Sequence, residues 1–96
     1  MNTHTTPTPL SRLLLFLVHK GYKIQRSHID GSYIDEYFAS GDYYTLKIDP
    51  LESTVRVDDL KGPCSTITNV PFSAVIEHGV NEELFDAHMA SAWMGV

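Results

Sequence analysis

The sequence predicts an α+β fold: an antiparallel meander of three to four strands, with an N-terminal helix and C-terminal helices packed on one face. Three observations predict it. Residues 43–58 hold two runs of alternating apolar and polar side chains around a four-residue turn. Residues 10–18 are almost continuously apolar and stop short of a glycine. A capped helical stripe begins near residue 81. Such elements make an antiparallel sheet with one face covered and one face wet.

Residues 1–9 are rich in Thr and Pro, lack a periodic apolar residue and read as a flexible tail;. Residues 10–96 read as a single domain, the size at which one core forms;. The first helix is capped by Thr8 or Ser11 and has Pro9 in its first turn. His19 and Lys20 lie at its negative end, and Gly21 is its left-handed stop. Leu10, Leu13, Leu14, Leu15, Phe16, Leu17 and Val18 surround it with apolar side chains, which predicts burial between the sheet and the C-terminal helices. An exposed flank would instead favour a homodimer.

Residues 22–29 alternate weakly and read as a strand. Asp30-Gly31 is a two-residue hairpin signal. Residues 32–39 fit a strand through that turn and their aromatic content. They also fit a short helix with Tyr33, Ile34, Tyr37 and Phe38 on one face; the strand is preferred. Ser40-Gly41-Asp42 turns the chain into the central hairpin. There Pro50-Leu51-Glu52-Ser53 sets Ile48 opposite Val55 and Leu46 opposite Val57. The outer face then carries Tyr43, Thr45, Lys47, Asp49, Thr54, Arg56 and Asp58. Lys47 faces Arg56, a like-charge pair that Asp49 and Asp58 can offset diagonally.

Lys61-Gly62-Pro63-Cys64 breaks the pattern. Residues 65–68 read as a short edge strand. Residues 71–78 read as a short helix, with Pro71 early and Gly79 past its end. Asn81 caps the last helix, Glu82 and Glu83 sit at its positive end, and Val80 with Phe85 forms a hydrophobic staple. Phe85, Met89, Ala92 and Trp93 form its apolar stripe.

No catalytic motif stands out. The histidines at 19, 28, 78 and 88 lack converging spacing, and the single cysteine, Cys64, excludes both an internal disulfide and a paired-cysteine metal site;. Cys64 sits in a loop with only Lys61 near it in sequence, too little to make a nucleophile. A metal nuclease would need acids converging with a lysine. Asp35, Glu36 and Lys47 approach that pattern, but Thr45 stands where an acid is expected. Gly41, Gly62 and Gly79 are too scattered to cradle a phosphate. The chain is therefore expected to be no enzyme and to need no cofactor or metal. Its longest apolar run is too short to span a bilayer, and a cytoplasmic location is the default.

The charge is divided. Residues 1–29 carry +4 and the remainder −9, for a net charge of −5. An acidic surface attracts partners with basic surfaces, including surfaces that hold nucleic acid. The leading expectation is a small acidic protein-binding module, an inhibitor of such a partner, with Asp35, Glu36, Asp49, Asp58 and Asp59 as contacts and Tyr43 as aromatic anchor. Phage-encoded inhibitors of bacterial defence, anti-CRISPR proteins among them, and toxin-neutralising immunity proteins share this size and charge style, without a shared motif. The alternative is a nucleic-acid binder using Lys20, Lys23 and Arg26. Over His19-Lys20-Gly21-Tyr22-Lys23-Ile24 the chain resembles the opening of small helix–sheet RNA-binding domains, but the rest of it is acidic and nucleic acid is the less favoured partner. A small hydrolase using Cys64, or acids with a metal, is the third reading.

Overall fold

The computed structural model describes residues 8–28, 35–61 and 65–90. In chain order they form α1 (Pro9–His19), β1 (Lys23–His28), β2 (Asp35–Ser40), β3 (Tyr44–Asp49), β4 (Thr54–Asp59), β5 (Ser65–Pro71), α2 (Phe72–His78) and α3 (Glu82–Met89). The strands make one antiparallel sheet of five, ordered β1-β2-β3-β4-β5. The predicted meander is present, with more strands than expected. Most of the N-terminal tail, the Asp30-Gly31 turn and Cys64 lie outside the described residues.

Local chemistry sets the ends of α1. The Thr8 hydroxyl accepts from the Ser11 amide at 3.1 Å, and Pro9 opens the helix. At the other end the Tyr22 amide donates to the Leu17 carbonyl and the Gly21 amide to Val18, both at 3.0 Å. This paired closure requires a left-handed residue, and Gly21 supplies it with φ 91°;. Leu13 and Leu17 face the core, while α1 packs against α2 and β1. Leu15 and Val18 point the other way and are 60% and 56% exposed. The burial expected all round the helix is therefore realised on one side only, because neighbours cover only that side.

The central hairpin has the predicted register, with Ile48 opposite Val55, Leu46 opposite Val57 and Lys47 opposite Arg56. The Asp49 carboxylate accepts from the amides of Leu51 and Glu52 at 3.0 and 3.1 Å, which ties the turn;. Ser53 closes it in the left-handed region, φ 57°. Residues 35–39 are strand, as preferred over helix. The β1–β2 register, however, pairs His28 with Asp35. A two-residue Asp30-Gly31 loop would pair His28 with Tyr33, so the register is shifted by two. A shift of two leaves each side chain on its own face.

β5 is longer than the edge strand expected over residues 65–68. Ile67 and Val70 are both buried although they are three residues apart. Thr68 and Asn69 together oppose Arg56 in a bulge, and Asn69 takes φ 58° there;. The extra residue returns Val70 to the inner face. Pro71 then caps α2, and Gly79 ends it. Asn81 joins the last helices: its Nδ2 donates to the His78 carbonyl at 3.1 Å, and its Oδ1 accepts from Glu83 and Leu84. On α3 the fully buried residue is Leu84. Phe85 is partly buried and Met89 is 79% exposed, so the predicted stripe is rotated; Ala92 and Trp93 lie outside the described residues. The inner sheet face, α1, α2 and Leu84 share one apolar core.

Candidate functional site

The expected acidic contacts do not share one face. Register places Glu36, Asp49 and Asp58 on the outer face of the sheet, and Asp35 and Asp59 on the helical side. Each has a partner within the chain. Asp35 lies 3.5 Å from Arg26 Nε and 2.7 Å from His28 Nδ1. Glu36 lies 3.3 Å from Lys47 Nζ. Asp58 lies 3.5 Å from Arg56 Nε and accepts from the Thr66 hydroxyl at 2.6 Å. Asp59 accepts from the Lys61 amide at 2.9 Å, and Asp49 holds the turn already described. On the outer face Lys23, Lys47 and Arg56 balance Glu36, Asp49 and Asp58. That face has no net charge, and Phe38 adds a partly buried aromatic beside a shallow hollow of about 290 Å³.

The acidic excess emerges elsewhere. No Lys or Arg occurs after Lys61, and Glu77, Glu82, Glu83 and Asp86 all sit on α2 and α3. All four are exposed. Glu83 Oε1 lies 2.9 Å from His78 Nδ1, which leans the junction of the two helices together. The charge division along the chain pointed to this patch, but the acids nearer the hairpin drew the expectation away from it.

The basic expectation also divides. Lys20 and Lys23 line a groove of about 800 Å³, whereas Arg26 is held by Asp35 and does not reach it. The groove runs between the end of α1, the β2–β3 turn and the end of α2. Tyr22, Tyr43 and Tyr44 line it. Gly41 is needed here, since a Cβ at that position would come within 2.7 Å of the Tyr22 ring. Burial, reinforced by Tyr44, pushes the Tyr22 phenol up to about 12;. Beside the groove the Lys61 ammonium stands 4.7 Å from the Tyr44 ring centroid and 5.9 Å from that of Tyr43;. The Tyr44 hydroxyl is the largest cause holding Lys61 above its ordinary pKa, with Asp59 and Glu82 adding to it. That contact is a side-chain hydrogen bond to a hydroxyl that is buried and otherwise without a partner among the described residues.

Among the described residues no three His, Cys, Asp or Glu side chains converge as a metal site. No described helix is long and apolar enough to cross a membrane. No protein-family model, curated protein or solved structure matches this chain.

Proposed function

We propose that this chain is a non-enzymatic protein-binding module that docks on the basic surface of a partner protein and inhibits it by covering that surface. The observation that carries this reading is the α2–α3 unit, where every charged side chain apart from histidine is an exposed acid. Glu82 and Asp86 are one turn apart on α3 and present their charge together;. Asp35, Glu36, Asp49, Asp58 and Asp59 remain the comparison set, and their internal partners reduce what they offer to an outside cation. Tyr43, 60% exposed, keeps its place as an aromatic anchor;. The exposed Leu15 and Val18 flank of α1 favours self-association, which sedimentation at rising concentration would detect.

The test is capture of the partner from a lysate of the native host with the tagged chain, with and without nuclease, read by mass spectrometry. One dominant protein that survives nuclease is expected. Glu82→Lys with Asp86→Lys should then weaken the purified pair by tenfold or more, on the order expected for charge complementarity. Unchanged binding by that folded variant would move the surface to the sheet. Recovery that vanishes with nuclease would turn the reading to nucleic acid, with Lys20 and Lys23 as its contacts.

A further inference from the structure

The two edges of the sheet are finished differently. β5 is blunted: the bulge at Thr68 and Asn69 twists it, Pro71 lacks an N–H to offer, and the chain turns straight into α2;. β1 has none of these devices. Its residues, Lys23–His28, include no Pro or Gly and pair one for one with β2 along their whole length. A row of its backbone N–H and C=O groups therefore faces away from β2, in strand geometry, with no further strand beside it among the described residues;. Burial lapses at the same edge. On the helical side of the sheet Ile48, Val55 and Val57 are at most 1% exposed, whereas Ile24 on β1 and Tyr37 on β2 are only partly buried. On α1, Phe16 and Lys20 turn toward α2, with which they line the groove. Leu14 and Val18, one turn apart, fall on the opposite flank, toward the free edge, and Val18 is exposed;.

We infer that the β1 edge receives an extended acidic segment of a partner protein, which adds to the sheet as a further strand. Main-chain hydrogen bonds to β1 hold such a segment, and its alternate side chains meet the two faces. Apolar residues of the segment cover Ile24 and the Leu14–Val18 flank on the helical side. Acidic residues take the outer side, beside Lys23. Charge selects this occupant. Residues 8–28 contain Arg12, Lys20, Lys23 and Arg26 and no acid. Asp35 holds Arg26, and Asp42 and Glu77 lie across the groove from Lys20, yet the four cations outnumber these three acids. A second copy would bring the same cations to the same edge, and like charges across a strand pair are unfavourable. The surface is separate from that of the proposed basic partner, since Glu82 and Asp86 sit on α3, which packs against α2 and β5. The two are therefore lost through different variants.

The experiment titrates the full-length chain, labelled with ¹⁵N, with a short peptide that alternates Val with Glu, and separately with the same peptide carrying Lys for every Glu. With the Glu peptide, shifts should centre on β1 and the end of α1. Every second amide of β1, the set not bonded to β2, should gain protection from hydrogen exchange. The Lys peptide should bind about tenfold more weakly or worse, as charge complementarity predicts. Lys20→Glu with Lys23→Glu alters two exposed side chains and should reverse that preference. A proline at the centre of the Glu peptide keeps its charge but should abolish binding, because strand addition needs the peptide's own amides. Shifts that miss β1, equal affinity for the Glu and Lys peptides, or undiminished binding of the proline peptide would each overturn the inference. So would protection of the β1 amides that appears without peptide and grows with protein concentration, because the edge would then belong to a second copy.

Discussion

Lys47 and Arg56 face each other directly across β3 and β4, and each takes its counter-ion from somewhere other than the facing strand position. Lys47 reaches back to Glu36 on β2, and Arg56 reaches along its own strand to Asp58. Two like charges at one register position are thereby tolerated in the middle of the sheet. Glu36→Gln should cost about 0.5 kcal/mol and Glu36→Lys about 1 kcal/mol, the scale of exposed ion pairs and cross-strand repulsion. Urea denaturation should show the midpoint falling at constant slope. Added salt should shrink the loss, because exposed charges are screened. A loss indifferent to salt would mean that Glu36 acts through packing.

Asn69 holds a left-handed conformation in the β5 bulge. Asn69→Gly should leave stability within about 0.5 kcal/mol of wild type, whereas Asn69→Val should cost about 1–3 kcal/mol, since a β-branched residue is strained there. Thermal unfolding of the two variants checks this. Equal Tm values would show that the bulge relaxes without cost.

Gly41 and Tyr22 are in contact in a way that leaves no room for a methyl group. Gly41→Ala should displace the ring, lower stability by about 1 kcal/mol as overpacking does, and return the Tyr22 phenol toward its ordinary pKa. Spectrophotometric titration of the tyrosines would show one group fewer titrating late.

The same phenol makes stability depend on pH. Tyr22 is neutral when protonated, and its folded pKa is raised from 10.0 to about 12. Between those values the unfolded chain loses the proton first, so stability is complete below about pH 10 and falls as pH rises toward 12;. Tyr22→Phe should flatten that part of the stability curve. An unchanged slope in the variant would assign the fall to other groups.

Leu84 and Met89 separate two orientations of α3. Leu84→Ala should cost about 2–5 kcal/mol, as for a buried leucine, and Met89→Ala should fall within about 0.5 kcal/mol of wild type;. The reverse ranking would restore the stripe expected from Phe85 and Met89.

The two outcomes on α3 show where sequence stops being enough. A stripe at spacing four can be drawn through Phe85 or through Leu84, and only the neighbours decide which is buried. The central hairpin was legible because strand period and turn length together allow one register. The caps at Gly21 and Asn81 were legible because they act on their own backbone, and of the two candidates at the start of α1 the structure takes Thr8 over Ser11. β5 was harder, since Ile67 and Val70 match strand period only after Asn69 adds a residue. The internal partners of Asp35, Glu36, Asp58 and Asp59 were not legible, because they depend on which strands become neighbours. The groove was invisible in the sequence for a similar reason: Lys20, Tyr44 and Glu77 come from three separated segments.

The order of the sheet also bears on how the chain reaches this structure. Every strand pairs with the next one along the chain, so the sheet can grow by successive short loop closures. Each closure carries a small entropic cost, and contacts of low sequence separation form quickly, on the order of milliseconds in domains of this kind. The contacts between α1 and α2 are different, because the whole sheet intervenes between the two helices in sequence. Docking of Leu13 and Leu17 is therefore the late event. Truncating either one should accelerate unfolding far more than it slows folding.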